Sequence, residues 1–189
     1  MPVIVMGIPT ILIMKQPDLG TAMLLTAISG TMILFCKIRR WILVTIMMGL
    51  VVAAPLAWKY GMRDYQKARI ENFLSPTNDP RGSGYNSIQS RIAVGSGRLL
   101  GKGFRKGTQS QLEFLPERHT DFIYSVLSEE HGFVGSTLTL GLFCYLFVIC
   151  IHIAATARDK FGALLTVGVV CYVFWHMFIN MGMVIGLLP

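Results

Sequence analysis

Long apolar stretches alternate with short polar ones along the chain. Runs without a charged residue occupy residues 19–36 and 41–58 before a long polar region, and residues 133–157 and 161–189 after it. A helix needs about 20 apolar residues to cross the hydrocarbon core of a bilayer. The pattern therefore predicts four membrane-spanning helices. A shorter apolar run, residues 3–14, predicts a partial fifth span.

Two short turns are basic, one after the first full run and one after the third. Their basic residues are Lys37, Arg39, Arg40, Arg158 and Lys160. Basic residues in short loops favour the cytoplasmic side of a membrane. Both turns therefore predict one topology, in which the polar loop of residues 59–121 is extracytoplasmic.

The composition is also that of a membrane protein. The chain is 53% hydrophobic with a mean hydropathy of +0.56, and 14% of its residues are charged, against about 25% in soluble domains. The predicted fold is an all-α integral membrane protein, a multi-span helical bundle with a long extracytoplasmic loop. The four cysteines lie in apolar runs without metal-site or disulfide spacing and are predicted to be buried free thiols. They are Cys36, Cys144, Cys150 and Cys171.

The long loop holds most of the positive charge of a chain whose net charge is +7. Residues 59–118 contain eleven Lys and Arg against five Asp and Glu. This favours a phosphate-bearing or lipid-headgroup partner over nucleic acid. Residues 65–74 predict a short helix at the membrane surface, and residues 85–94, with Ile88 and Ile92 at helical spacing, predict a second.

A polar stretch, residues 109–132, overlaps the end of this loop and leads into the third full span. It holds five of the ten acidic residues of the chain, although it adjoins apolar segments. Pro116 interrupts any preceding helix, Thr120 is a suitable N-cap and the apolar run begins at Phe122. Asp121 is therefore predicted at the first position of a helix, where the helix dipole favours a carboxylate.

Several motifs resemble the SEDS family (shape, elongation, division and sporulation). They are LPERHTDFI, preceded by GTQSQLEF and followed by SEEHGFVG, together with DPRGSGYNSIQSRIAVGSG, GKG and QPDLGTA. The resemblance covers essentially the whole chain and implies a membrane fold of about ten spans. We expect this chain to hold four to five of them and to lack the N-terminal spans and the C-terminal end. Asp18 in QPDLG is predicted to form a structural turn.

The resemblance implies that Asp121 is essential for polymerising peptidoglycan. As a general base, its carboxylate would take the proton of the acceptor sugar's 4-hydroxyl as that oxygen attacks the donor's anomeric carbon. The alternative is that Asp121 only completes a helix N-terminus.

The leaving group implied by the resemblance is undecaprenyl diphosphate. Lys102, Arg105 and Lys106 lie among glycines and are predicted to bind it, since glycine lets the backbone approach a phosphate. The alternative is contact with lipid headgroups. Arg98 stands where the family has a second glycine after GSG.

His119 and Gln109 complete the predicted substrate-binding set. His119 orients the Asp121 carboxylate, contacts the sugar, or is a surface histidine.

Glu113, Glu117 and Asp121 could together ligate a divalent cation, Mg²⁺ or Mn²⁺. Because Pro116 opposes one continuous helix, solvated carboxylates are the favoured alternative. No other cofactor is expected. Of Glu129 and Glu130, at least one is predicted to face the protein interior or water and to pair with a loop arginine.

The resemblance implies a peptidoglycan glycosyltransferase that polymerises lipid II during cell elongation, in the bacterial inner membrane. Its expected partners are a class B penicillin-binding transpeptidase, the MreC/MreD elongation proteins and membrane lipids. The alternatives are a lipid II flippase, a non-catalytic scaffold for the transpeptidase, and a division-type polymerase. Few ionisable groups lie in the spans, which favours an enzyme over a transporter.

Overall fold

The computed structural model describes residues 2–16, 18–35, 83–108 and 120–188, together with isolated positions between 41 and 71. These residues contain helices and turns and no strand. The helices are α1 (Pro2–Lys15), α2 (Leu19–Phe35), α3 (Ser83–Ser96), α4 (Ile123–Thr156) and α5 (Lys160–Ile185). The predicted span at residues 41–58 and the predicted helix at residues 65–74 lie largely outside the described residues.

Two aspartates begin helices that follow short turns. The Asp18 carboxylate accepts hydrogen bonds from the backbone N–H of Thr21 (3.1 Å) and from its hydroxyl (2.6 Å), which caps α2. The Asp159 carboxylate accepts the N–H of Gly162 (2.7 Å) at the start of α5. The predicted structural turn at Asp18 is therefore confirmed.

Helices α4 and α5 are each long and apolar enough to cross a membrane. They contain 34 and 26 residues, with mean hydropathies of 2.3 and 1.9 in their most apolar windows. At about 1.5 Å per residue, 20 residues already match a hydrocarbon core of about 30 Å. Their large apolar side chains are mostly exposed, among them Leu138 (64%) and Leu165 (57%). Such a surface suits contact with lipid.

Helix α4 is kinked at Gly132. This residue has φ 66° and ψ −162°, outside the helical region, while the residues on both sides are helical. The kink separates a short polar segment from the apolar part of the helix. The predicted span at residues 133–157 thus coincides with the part of α4 that follows the kink.

Helix α5 ends at Ile185, four residues before the end predicted for the span at residues 161–189. Gly186 has φ 77°, and its N–H donates to the carbonyl of Met183 (3.2 Å), while the N–H of Leu187 donates to the carbonyl of Gly182 (2.7 Å). This is a Schellman cap, which glycine favours because it has no Cβ. The apolar sequence continues through Leu187 and Leu188, so hydropathy alone placed the end of the helix too late.

The chain forms two compact units. The first comprises Met1–Ala53 and Tyr145–Met177, and the second comprises Ala54–Cys144 and Phe178–Pro189. Within the first unit, the indole N–H of Trp175 donates to the Thr31 hydroxyl (2.9 Å) and joins α5 to α2.

Within the second unit, α3 packs through small residues. Ser90 and Ala93 are fully buried, whereas Ile92 is 46% exposed. The Ser90 hydroxyl donates to the carbonyl of Val184 near the end of α5 (3.1 Å). The predicted helix at residues 85–94 is confirmed, but its buried side carries Ser and Ala instead of Ile92.

The cysteine prediction is only partly correct. Cys171 is buried, Cys150 is half-buried and Cys144 is exposed. Burial was wrong for Cys144 because an apolar residue of a spanning helix can face lipid instead of protein. Cys36 lies outside the described residues.

Candidate active site

Asp121 lies in an exposed turn immediately before α4. The carbonyl of Phe122 accepts the N–H groups of Ser125 (3.0 Å) and Val126 (3.4 Å), so Phe122 is the N-cap residue and α4 begins at Ile123. Asp121 therefore precedes the N-cap and does not occupy the first helical position, where the sequence pattern placed it. The carboxylate is exposed to solvent.

Asn180 of α5 holds the backbone of this turn. Its side-chain amide donates to the carbonyl of Asp121 (2.9 Å) and to that of Thr120 (3.3 Å). Because both bonds reach main-chain oxygens, the Asp121 carboxylate is not used in this contact. Asn180 thus joins α5 to the turn that carries Asp121.

The glycine-rich loop, residues 97–103, completes the broken hydrogen bonds of the α4 kink. In a regular helix, the N–H groups of residues 133 and 134 would donate to the carbonyls of residues 129 and 130. Here they donate to loop carbonyls, from Phe133 to Arg98 (2.8 Å) and from Val134 to Leu99 (3.1 Å). The loop N–H groups of Lys102 and Gly103 donate to the carbonyls of Glu129 and Glu130 (3.0 Å each). The kink interrupts two helical hydrogen bonds, and the loop thereby satisfies both N–H donors and both carbonyl acceptors.

Three glycines make this close approach possible. A Cβ on Gly97 would lie against the carbonyl group of Ser128, at 2.9 Å from its carbon. A Cβ on Gly101 would lie 2.6 Å from the backbone nitrogen of His131, and one on Gly132 would lie 2.6 Å from the Leu99 oxygen. Gly101 and Gly132 also have positive φ angles of 78° and 66°. The glycines therefore serve backbone-to-backbone packing.

Lys102 forms an ion pair with Glu129 beneath this loop. The ammonium Nζ lies 2.7 Å from Glu129 Oε1, and the Glu129 side chain is fully buried while that of Lys102 is 29% exposed. The prediction that Glu129 or Glu130 faces the interior is confirmed for Glu129. Lys102 of the loop is one of its partners, and the predicted pairing with an arginine stays a prediction.

The buried side of the first part of α4 is polar, a signal that hydropathy does not reveal. Its members recur at helical spacing and are Ser125, Ser128, Glu129 and Gly132. Small and polar residues at such spacing let backbones approach closely and form hydrogen bonds between segments. This pattern could have identified the contact face from the sequence.

The other predicted cations lie on the exposed side of the loop region. Arg105 and Lys106 are exposed, and the Arg105 guanidinium lies 5.5 Å from the centre of the Phe104 ring. Arg98 is also exposed and has φ 50°, a left-handed conformation that favours glycine. This conformation explains why a glycine suits the position in the family pattern.

The remaining predicted site residues are Gln109, Glu113, Glu117 and His119, and they lie outside the described residues. Across the part of the chain that the structure describes, no group of three His, Cys, Asp or Glu side chains is arranged to hold a metal ion. Asp121 is the described member of the possible divalent-cation set, which stays a prediction.

The sequence is similar to a family of known proteins. The sequence model of the cell cycle protein family, which covers FtsW, RodA and SpoVE, matches residues 1–189. The peptidoglycan glycosyltransferase MrdB of Escherichia coli (strain K12) is 48% identical over 182 residues, which cover 96% of this chain and 49% of MrdB.

Two further relatives are more distant. The stage V sporulation protein E of Bacillus subtilis (strain 168) is 39% identical over 95% of this chain and 48% of that protein. The peptidoglycan glycosyltransferase RodA of Treponema pallidum (strain Nichols) is 36% identical over 86% of this chain and 38% of that protein. The chain spans about half the length of the curated relatives it matches.

A solved structure shares the fold. It is a chain from work on the structural coordination of polymerization and crosslinking by a peptidoglycan synthase complex. The TM-score is 0.81 at 24% sequence identity, over 100% of this chain and 52% of that one. The prediction of an all-α, multi-span membrane fold is thereby confirmed.

Proposed function

The chain belongs to the cell cycle protein family of FtsW, RodA and SpoVE, and we propose that it is part of a peptidoglycan glycosyltransferase that polymerises lipid II. The observation that carries this proposal is an exposed Asp121 carboxylate, on a turn whose backbone Asn180 holds. The similarity to MrdB over 96% of the chain supports it. An elongation role is favoured because the identity to RodA-like MrdB, 48%, exceeds the 38% identity to FtsW of Trichlorobacter lovleyi.

In the proposed reaction, Asp121 is the general base. Its carboxylate takes the proton from the acceptor's 4-hydroxyl, and that oxygen forms a bond to the anomeric carbon of the donor. The bond from this carbon to the diphosphate oxygen breaks, and undecaprenyl diphosphate leaves with the electron pair. An exposed carboxylate with a fixed main chain suits this role, because proton transfer requires a defined approach.

The leaving diphosphate requires positive charge close to the reacting centre. Arg105 and Lys106 are exposed on the loop region and are the cations that we assign to it. Lys102 is half-buried, and its charge is shared with Glu129. We place Gln109 and His119 in the same substrate-binding region on the basis of the family motif. A divalent cation at Asp121, Glu113 and Glu117 stays a proposal of the same kind.

We place the protein in the bacterial inner membrane with residues 59–121 on the extracytoplasmic side, as the basic turns predict. We further propose a class B penicillin-binding transpeptidase and the MreC/MreD proteins as partners. The structural similarity to a chain of a complex that coordinates polymerization and crosslinking supports the transpeptidase.

Polymerisation of purified lipid II by the full-length protein with its transpeptidase tests this function. We expect Asp121→Asn to lower the rate at least about 100-fold, the usual contribution of a general base. Asp159→Asn is the matched control, because asparagine still caps α5, and its rate should equal that of the parent.

Equal glycan synthesis by the parent and Asp121→Asn would remove Asp121 from the catalytic role. Synthesis by neither protein, with transpeptidase binding intact, would favour the transporter or scaffold alternatives. Both comparisons require equal folding of the variants, measured by gel filtration of the complex.

A further inference from the structure

Three side chains between residues 96 and 108 converge on one oxygen of Glu129. Its Oε1 accepts hydrogen bonds from Lys102 Nζ at 2.7 Å, from the Thr108 hydroxyl at 3.2 Å and from the Ser96 hydroxyl at 3.4 Å. The Lys102 ammonium also donates to the Thr108 hydroxyl at 2.8 Å. The carboxylate thus joins the end of α3 and the loop region to the buried side of α4.

Two hydrogen bonds join Lys102 to Glu129. Its backbone N–H donates to the Glu129 carbonyl (3.0 Å), and its ammonium bonds the Glu129 carboxylate (2.7 Å). The backbone bond is one of those that pair the loop with the kink. The side-chain bond reaches the buried carboxylate. A change in the side-chain bond will therefore affect the backbone bonds that close the loop on α4.

We propose that Glu129 is a positioning residue, which acts through Lys102 to hold the glycine-rich loop closed on the α4 kink. The closed loop fixes the positions of Arg98, Arg105 and Lys106, the exposed cations of the region. In this arrangement the Lys102 side chain holds the loop against α4 and does not contact the substrate. The catalytic consequence rests on the proposed glycosyltransferase function, whereas the closure of the loop is independent of it.

Burial makes the pair sensitive to the loss of one partner. A buried carboxylate without its cation is strongly unfavourable, whereas replacing both partners with apolar side chains of similar size is often neutral. Each single substitution should therefore disturb the loop, whereas the double substitution should restore it. A residue that binds substrate through its charge would not show such a rescue.

The experiment combines two measurements on the full-length protein with its transpeptidase. Amide hydrogen exchange of the peptide that contains Lys102 and Gly103 reports closure of the loop, and lipid II polymerisation reports the consequence. The variants are Glu129→Gln, Lys102→Met and the double variant Lys102→Met with Glu129→Leu. Glu130→Gln is the matched control, since Glu130 is the neighbouring acidic residue on the same helix and is only half-buried.

We expect amide exchange at Lys102 and Gly103 to be at least about tenfold faster in both single variants than in the parent. The reason is that each variant loses the ion pair between Lys102 and Glu129. Polymerisation should fall by a similar factor. The double variant should return both values to within about threefold of the parent, as expected when no buried charge is left alone. Glu130→Gln should match the parent in both.

Three results would overturn the proposal. Unchanged exchange in Glu129→Gln and Lys102→Met would show that the pair does not close the loop. Restored exchange without restored polymerisation in the double variant would make Lys102 a substrate ligand. If Glu130→Gln accelerated exchange as much as Glu129→Gln, the buried Glu129 carboxylate would not be the group that positions the loop.

If the parent itself does not polymerise lipid II, the proposed function fails, and the exchange comparison alone still decides whether Glu129 and Lys102 close the loop. If Glu129→Gln does not fold, Thr108→Val removes one donor to Oε1 and keeps the ion pair, so faster exchange is again expected.

Discussion

Gly132 has a conformation and a location that admit no side chain. Its φ is 66°, and an added Cβ would meet the backbone of Leu99 and Gly101. We expect Gly132→Ala to destabilise the protein by at least about 1–3 kcal/mol, since strain in the left-handed region adds to the steric conflict. Thermal unfolding of the detergent-solubilised full-length protein measures this change.

The control lies in the same helix. Gly141 has open space around the position of a Cβ, so Gly141→Ala should be neutral or stabilising by about 0.5–1 kcal/mol, because alanine favours a helix over glycine. Similar destabilisation by both substitutions would show that the kink does not depend on Gly132.

At the residue scale, the sequence predicted which residue types matter better than it predicted their contacts. The glycine-rich loop and Lys102 were singled out for phosphate binding. Their described contacts lie in α4, and local patterns do not reveal a partner so far along the chain. Glu129 was expected to pair with a loop residue, but its ion pair with Lys102 depends on packing that only the fold supplies.

At the scale of elements, one contact between α5 and the turn before α4 affects the proposed base. Asn180 donates to the carbonyls of Asp121 and Thr120. We expect Asn180→Ala to lower lipid II polymerisation about 3- to 10-fold, which corresponds to a total loss of about 0.6–1.4 kcal/mol, the net contribution of about one hydrogen bond. The effect should appear in the rate of the chemical step, since the position of the carboxylate changes and its chemistry does not.

Thr166→Val provides the comparison for Asn180→Ala. The Thr166 hydroxyl donates to the carbonyl of Gly162 within α5 (2.9 Å), so its loss should leave polymerisation unchanged. Equal rates for the parent and Asn180→Ala would show that the turn keeps its conformation without this amide.

The helices themselves were largely predictable, because apolar runs of the right length dictate spanning helices. Their ends and buried faces were less so. The Schellman cap at Gly186 ends α5 within an apolar run. Helix α3 buries Ser90 and Ala93 because small residues allow close packing, whereas a hydropathy pattern draws attention to Ile92.

At the scale of the whole molecule, the predicted topology can be tested by labelling. We expect Phe104→Cys, at a side chain that is 70% exposed, to react with a membrane-impermeant maleimide in intact spheroplasts. Arg158→Cys, in the turn before α5, should react only after permeabilisation, because basic turns stay in the cytoplasm. The native cysteines of the full-length protein are replaced first. Labelling of Arg158→Cys in intact spheroplasts would show that the topology is the reverse of the predicted one.

The membrane fold followed from hydropathy, and the family followed from long motifs around Asp121. The contacts that give the site its shape could not be predicted from the sequence, because they join residues 97–103 to residues 128–134 through main-chain atoms. Backbone pairing of this kind depends on the absence of side chains. A sequence shows that absence only as glycine, which has many other uses.

The paired loop and kink also determine how this segment can be exchanged between relatives. Chimeras that replace residues 97–103 alone, or residues 128–134 alone, would bring together two backbones that are not matched to each other. The two segments should be transferred together, although residues 104–127 lie between them in the chain. Domain-swap boundaries between relatives should therefore be placed before Ser96 and after Ser136, so that both segments come from one parent.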